Sequence, residues 1–393
     1  MSSHGVRTRP LTVVDLFAGA GGLSSGFSHD ARFQIVAAVE AARDAAAAYR
    51  ANHPNVTVYE EDIRALSAAK VMRDMQIATI DVMIGAPPCQ SFSSRGKRSR
   101  YDPRGQLTDD YVRLLWEFRP RLFLMENVKG MLSVEQGRFF GRICARFESA
   151  GYRVRHRVLN AANYGVPQLR KRVFVVGTRL GRPFVFPPPT RCSRAENAAG
   201  LPLHLTLADA IGDLPLIMSG ERSTMYATPP QNDYQAAMRW RSTRLLDHEA
   251  PRHERWLLDL ISRLPDGGSA RKLADAPARI RHARSFTDTY CRLWWTRPSG
   301  TVTTHFSMPS SSRCIHPRAA RALTAREAAR LQSFPDHYLF VGGTASRNAQ
   351  IANAVPPVLA KALASAIAAH FRQGRPRAKT SYERIAASTE VRT

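Results

Sequence analysis

The sequence predicts an α/β fold: a doubly wound, mostly parallel sheet joined to a smaller, loop-rich second domain. Three observations carry this. Apolar strand-like runs alternate with helical stretches over residues 11–180, the first run ends among glycines, and composition changes sharply after Pro183. Parallel strands need crossover connections, which helices supply, so the alternation reads as consecutive βαβ units.

In chain order, residues 11–17 form a strand running into Gly19, Gly21 and Gly22, and a helix covers 23–29. A second strand spans 34–40, an Ala-rich helix 41–52 and a short strand 56–59. Residues 80–84 are the next strand, stopped by Gly85, Pro87 and Pro88. Helices at 107–116 and 139–149 flank a strand at 122–126, and strands at 152–159 and 172–178 follow. Pro187, Pro188 and Pro189 make a stiff linker. Residues 190–310 are irregular and rich in Arg, Pro, Ser and Thr, with a moderate helix at 252–264. Regular structure returns at 324–333, where Thr324 and Glu327 have the spacing of a capping box, and 358–371 is the last helix. The expected division is 1–180 for the sheet domain, 181–340 for the second domain, 341–372 for a segment returning to the first, and 373–393 for a basic flexible tail.

The chain has 393 residues, 44% hydrophobic and 23% charged, which excludes a disordered or collagen-like protein. No window approaches a membrane span of uninterrupted apolar residues, and residues 1–10 lack an apolar secretory core, so an intracellular, cytoplasmic protein is expected. The cysteines, Cys89, Cys144, Cys192, Cys291 and Cys314, are odd in number and form no CxxC pair. That argues against a disulfide framework or a zinc knuckle. His248, Glu249 and His253 miss metalloprotease spacing by one and are interrupted by Pro251, so no metal is expected.

The formal net charge is +25, from 57 basic and 32 acidic residues. A GC-rich genome that favours Arg codons is one explanation; a polyanionic partner is the other. The distribution favours the partner, because residues 151–195 contain no Asp or Glu while Arg153, Arg155, Arg157, Arg170, Lys171, Arg172, Arg179, Arg182, Arg191 and Arg194 all occur there.

Four segments carry chemistry. The first is the turn from Asp15 and Phe17 through Gly19, Gly21 and Gly22 to Leu23, where glycines let backbone approach a ligand at the carboxyl edge of a sheet. Alone this is a tight turn as readily as a binding loop. Glu40, about 20 residues on, is positioned to accept ribose hydroxyls, and Asp62 to accept from an adenine amino group. Together they describe an adenosine-containing cofactor. The second is Pro88-Cys89-Gln90. A lone Cys is usually a small buried hydrophobe. This one follows a strand end and lies near Arg95, Lys97, Arg98 and Arg100, cations that favour the thiolate. The third is Glu126 and Asn127, at another strand's carboxyl end. The fourth is Gln168 to Arg172, a basic cluster leading into a buried strand, so that one or two side chains must face the site or be paired.

At these segments the sequence resembles the DNA cytosine-5 methyltransferases of the bacterial type, with six motifs in family order. Residues 17–22 look like the cofactor loop, 88–90 the nucleophile motif and 126–128 the base-activating motif. Residues 168–172 are similar to the family's QxRxR, 325–335 to its late helix, and 350–355 to its last motif. Ala352 and Ala354 stand there in place of the usual Gly and Ser, which puts the cofactor contacts of that segment in doubt.

The resemblance implies a Rossmann-like methyltransferase domain and a target-recognition domain. It also implies S-adenosyl-L-methionine as cofactor, held by the first-loop residues with Glu40, Asp62, Ile63, Pro88, Leu107, Asn353 and Ala354. Cys89 would add to C6 of a flipped cytosine, Glu126 would serve N3 and the 4-amino group, and Arg170 and Arg172 would stabilise O2. The partner implied is double-stranded DNA, read by a monomer that is either an orphan modification enzyme or half of a restriction-modification system with a cognate restriction endonuclease. Gln90, Ser93, Arg95, Lys97, Arg98, Arg100 and Gln168 are expected against DNA. In the variable region, 178–312, Arg297 and Thr303, with Arg313 just beyond, mark a candidate recognition loop, although a surface hairpin would look the same.

Three other readings stay open. A tRNA cytosine-5 methyltransferase would share the motifs, but those relatives have a shorter variable region. A NAD-dependent dehydrogenase leaves Cys89 and Glu126 unexplained. A non-catalytic DNA-binding module accounts for charge alone.

Overall fold

The computed structural model describes residues 9–88, 107–281 and 288–373; the expected basic tail lies outside them. The first half is one seven-stranded sheet built from β1 (Leu11–Leu16), β2 (Phe33–Val39), β3 (Thr57–Tyr59), β4 (Val82–Gly85), β5 (Leu122–Val128), β6 (Arg153–Asn160) and β7 (Lys171–Thr178). Its order is β3-β2-β1-β4-β5-β7-β6. The first five strands run parallel, and β7 pairs antiparallel with both β5 and β6. Helices α1 (Gly22–Ser28), α2 (Arg43–Asn52), α3 (Ala68–Asp74), α4 (Leu107–Phe118) and α5 (Arg138–Ser149) connect the strands. The central strands are near-continuous apolar runs because both faces are covered, as parallel sheets require. One face packs Val13, Ile84, Leu124 and Val176 against the C-terminal helix; the other packs Val14, Met83, Met125 and Val175 against α4 and α5 residues.

The second half holds α6 (Leu207–Ile211), α7 (Asp233–Arg239), α8 (Arg255–Ser262), α9 (Ala278–Arg281), the two-stranded β8 (Cys291–Arg292) and β9 (Arg313–Ile315), then α10 (Ala325–Leu331), α11 (Thr344–Asn353) and α12 (Pro357–Gln373). Helices α3, α6, α7, α9 and α11 have no counterpart in the sequence pattern. Helix α3 buries only Ala68 and Val71, and α11 is largely polar, so neither has a clear apolar stripe. Residues 344–373 form one apolar stretch long enough to cross a membrane by length and composition. In the fold it is two helices, broken where Ala354 is extended ahead of Pro356 and Pro357, and its apolar side is core.

Helix α10 has the capping box read from sequence: Thr324 Oγ1 accepts from the Glu327 backbone N at 3.1 Å, and Glu327 Oε2 accepts from the Thr324 N at 2.8 Å. Around it lie three arginines without solvent exposure: Arg321, Arg326 and Arg330. Arg321 donates to both oxygens of Glu327 at 2.8 Å. Arg330 donates to Asp213 at 2.5 Å and to Asp336 at 2.7 and 2.9 Å. Arg326 donates to the carbonyls of Leu246, Pro335 and Tyr338. Sequence patterning offers no sign of this network, since arginine is ordinarily a surface residue.

Truncating Arg330 would strand two buried carboxylates. Arg330→Met is expected to destabilise the fold by about 3–5 kcal/mol, the range for breaking a buried ion pair from one side. Urea denaturation measures this, and a loss below about 1 kcal/mol would mean that the network is neutral.

Candidate active site

Strand order reverses between β1 and β4, and the crevice of an open α/β sheet lies at the carboxyl ends of such strands. A cleft of about 620 Å³ opens there. It gathers Asp15, Phe17, Gly19, Gly22 and Leu23 from the end of β1 and the turn after it, and Glu40 after β2. Asp62 and Ile63 follow β3, Pro88 follows β4, and Leu107, Glu126, Arg170, Arg172, Asn353 and Ala354 complete it. Gly21 stands behind the lining as the N-cap of α1.

The β1 turn is a strained loop held by its neighbours. Phe17 has φ +57°, a conformation rare for a bulky side chain, and Gly19 also has φ +57°. Gly19 N donates to Glu40 Oε2 at 2.8 Å, and Ala42 N donates to Glu40 Oε1 at 2.8 Å. Each oxygen of Glu40 therefore keeps spare acceptor capacity facing the cleft. Asp62 is chelated by Arg64, which, with the Arg64 backbone N–H, holds its carboxyl down at about 2. It remains an anion but shares its oxygens with that guanidinium. At Gly22 a Cβ would lie 2.6 Å from Val355 O, so only glycine lets the 354–355 segment close over the loop.

At Ala352 and Ala354 the segment is held through its backbone carbonyls. Ala352 contributes its carbonyl, which accepts from Arg170 Nη1 at 2.9 Å and Gln332 Nε2 at 3.2 Å. The Ala354 carbonyl accepts from Gln332 Nε2 at 3.3 Å. Backbone groups make these contacts with Arg170 and Gln332, so they do not depend on the side chains at 352 and 354.

Two buried carboxyls lie in the cleft. Burial pushes Asp15 up to about 7; a 2.6 Å bond from Ser24 Oγ opposes the shift and nearby Glu40 adds to it. Glu126 is raised by burial, against the pull of Arg172 and Arg170. Its Oε1 lies 3.1 Å from Arg172 Nε, close enough for an ion pair, yet off the N–H direction, so this oxygen has no hydrogen-bond partner among the described residues. Arg170 is likewise buried with its Nε unpartnered, and burial together with Arg172 weighs against its charge. Unpaired polar atoms of this kind are costly unless a ligand completes them.

Cys89, Gln90, Ser93, Arg95, Lys97, Arg98 and Arg100 lie outside the described residues. The described chain reaches the cleft at Pro88, and Pro87 O accepts from Asn127 Nδ2 at 3.4 Å. Gln168 corrects an expectation. It has no exposure, donates to Leu331 O at 3.0 Å and Gln332 Oε1 at 2.8 Å, and accepts from Val302 N at 3.0 Å. It fastens the two halves together rather than facing a nucleic acid.

A larger cleft of about 1690 Å³ shares Val128, Arg172, Thr304 and Asn353 with the smaller one. Lys171, Arg191, Arg194 and Arg297 make it basic, and Thr303 and Arg313 also line it. The expected recognition loop is no hairpin. Ser299 N donates to Pro167 O at 3.0 Å and Leu169 N to Ser299 O at 2.8 Å, tying the loop to the segment that enters β7. Arg313 is a brace, donating to the carbonyls of Gly267 at 3.0 Å and Arg292 at 2.8 Å. Among the described residues no group of three His, Cys, Asp or Glu could hold a metal ion.

Tyr338 and His53 had no signal in the sequence. Tyr338 OH donates to Ala20 O at 2.5 Å across 318 residues, and His53 Nε2 lies 3.3 Å from the same hydroxyl. Burial brings His53 down to about 4, so it supports the glycine turn as a neutral ring.

Residues 11–369 match the family of C-5 cytosine-specific DNA methylases, and the chain belongs to that family. Its relatives are type II methyltransferases. The chain is 37% identical to M.DdeI of Desulfomicrobium norvegicum over 92% of its own length and 89% of that protein. It is 34% identical to M.AgeI of Thalassovita gelatinovora, covering 91% and 99%. A crystal structure of a DNA modification methyltransferase encoded within an E. coli prophage superposes with TM-score 0.72 at 25% identity, covering 92% and 99%. The S. pombe Dnmt2 methyltransferase shares the fold at TM-score 0.58 and 16% identity, covering 93% and 99%. The protein is thus a DNA (cytosine-5) methyltransferase of the type II kind.

Asp15 makes the stability of the cleft pH-dependent. Its native pKa of about 7 exceeds the ordinary 3.8, so its contribution is full below pH 4 and is lost as pH rises toward 7. Wild type should therefore lose stability relative to Asp15→Asn across that window, as read from urea midpoints. A pH-independent difference would show that Asp15 is not protonated in the fold.

Proposed function

We propose that this chain methylates C5 of a cytosine flipped out of double-stranded DNA, with Cys89 as nucleophile and S-adenosyl-L-methionine as methyl donor. The observation that carries the reading is Glu126: a buried carboxyl with one oxygen unpartnered, beside two arginines, in the cleft that also holds the glycine turn and Glu40. The cofactor would rest on the β1 turn, its ribose on Glu40, its adenine by Asp62 and Ile63, with Pro88, Leu107, Asn353 and Ala354 around it; bound there, it supplies an electrophilic methyl. The close approach at Gly22 and the spare acceptors of Glu40 fit such a group.

The chain's own groups do the rest. Cytosine C5 is a poor nucleophile until a thiolate adds at C6. The Cys89 S–C6 bond forms, the ring electrons move toward C5, and negative charge grows at N3 and O2. Glu126, whose carboxyl pKa burial raises against the pull of Arg172 and Arg170, donates to N3 from its protonated form and accepts from the 4-amino group, and Arg172 and Arg170 stabilise O2. Once the methyl is on C5, loss of the C5 proton expels the thiolate. Base flipping follows because a stacked cytosine shows these groups neither face.

Residues 1–180 and 341–372 would form the catalytic domain and 181–340 the target-recognition domain. The basic cleft holds the duplex, with Gln90, Ser93, Arg95, Lys97, Arg98 and Arg100 as further contacts to it. The enzyme would act as a monomer on the cell's own DNA at the nucleoid, protecting sites that a cognate restriction endonuclease cuts.

Transfer of labelled methyl to duplex DNA, with tRNA as competing acceptor, tests the reading; label on tRNA alone would overturn it. Cys89→Ser should abolish turnover while cofactor and DNA binding survive, and wild type should trap covalently on DNA with 5-fluorocytosine at the target. Retention of more than about a hundredth of the activity, less than general acid–base help alone supplies, would remove Cys89 as nucleophile. Glu126→Gln should lose the fall in kcat that accompanies deprotonation of Glu126 at rising pH, leaving only the limb set by the thiolate. An unchanged alkaline limb in a pH–rate profile assigns it to another group.

A further inference from the structure

The arginines of the large cleft differ in what already holds them. Arg172 faces Glu126, Arg191 Nη1 donates to Leu203 O at 2.7 Å, and Arg313 donates to two carbonyls. Among the described residues no hydrogen bond or ion pair holds the guanidinium of Arg297, which is exposed in the cleft. It is nevertheless placed, because it lies over the Trp294 ring, 5.0 Å from the centroid.

That ring is itself immobilised. The Arg313 guanidinium also lies over it, at 4.2 Å, while Arg313 is tied to the carbonyls of Gly267 and Arg292 and paired with Asp288 at 3.4 Å. A Cβ at Gly267 would fall 1.8 Å from Trp294 Nε1, so the indole edge sits directly on glycine backbone, at φ +69°. The chain at Arg297 is anchored too. Its carbonyl accepts from Leu207 N at 3.0 Å at the start of α6, and two residues later Ser299 is bonded to Pro167 and Leu169. The latter segment continues into Arg170 and Arg172. A free guanidinium fork is thus held on a fixed platform, connected by backbone to the catalytic arginines.

We propose that Arg297 reads a guanine in the recognition sequence, its fork offered to O6 and N7 from the Trp294 platform that Arg313 locks. A guanidinium has two parallel donors and guanine has two adjacent major-groove acceptors, a match that no other base presents. A phosphate contact would need no platform, since charge alone satisfies it. Arg194, also in the cleft, is exposed on a short helix with no ring beneath it among the described residues and suits that plainer task. The inference rests on the methyltransferase reading above and adds the base class that this site selects.

The test uses the full chain on a pool of duplexes randomised around the target cytosine, with methylated positions read by bisulfite sequencing. Wild type should require guanine at a fixed position, and Arg297→Ala should lose that preference there alone, by roughly 5- to 150-fold, the span of one bidentate base contact. Arg297→Lys should keep a reduced preference. Trp294→Leu, checked for folding by its unfolding midpoint, should relax the same position; unchanged selectivity in that folded variant removes the platform. An Arg297→Ala profile that superposes on wild type overturns the proposal. So does equal loss on every sequence with a salt slope lower by about 0.9, the signature of a phosphate contact. A wild type that methylates no cytosine would instead overturn the underlying function and leave the role of Arg297 without a reaction to serve.

Discussion

A Cβ on Gly26 would stand 2.4 Å from the Ala360 Cβ, and one on Gly22 would stand 2.6 Å from Val355 O. The two glycines lie four residues apart, on one face of α1. Helix α1 therefore meets the C-terminal segment backbone to backbone, and much else follows from that approach. It lets Leu359, Leu363 and Ile367 of α12 join Val13, Ile84 and Leu124 in one core. It brings the end of α11 over the β1 turn, so that Asn353 lines both clefts. It also puts Ala352 O where Arg170 can donate to it, which fixes a buried guanidinium beside Glu126. Glu126 and the turn after β1 share a cleft because three distant stretches of chain converge here.

The basic excess divides into two populations with different physics. Arg292, Arg321, Arg326 and Arg330 are buried, and their guanidinium groups donate to carboxylates or carbonyls. They tie the loops of the second half to one another beside its apolar clusters, and they offer nothing to a polyanion. Lys171, Arg172, Arg191, Arg194 and Arg297 line the large cleft. Charge there acts at long range on an approaching duplex and is screened by salt, whereas the buried set is insensitive to it. Net charge alone therefore overstates the DNA-facing surface.

Most of the sheet domain was legible in the sequence because its signals are local. An apolar run of four to eight residues bounded by Gly or Pro is a strand wherever it sits, and strands ending in Asp15, Glu40 and Glu126 put polar groups at one edge of a parallel sheet. The capping box at Thr324 was equally local. Helices α3 and α11 were not legible, since few of their residues face apolar neighbours, and neither was the antiparallel direction of β7, which depends on pairing partners rather than on its own residues.

The sequence by itself determined the order of strands and helices, the glycine turn, the acids at strand ends and the family to which they belong. Only the tertiary structure decided which side chains are free to act. Gln168 and Arg313, both polar and both expected at the nucleic acid, are bound to backbone and to Gln332. Arg297, with the same guanidinium as Arg313, keeps an open fork on Trp294 among the described residues. Hydrogen-bond capacity is a property of residue type, but whether it is already spent depends on neighbours brought from far along the chain, as Tyr338 is brought to Ala20 across 318 residues.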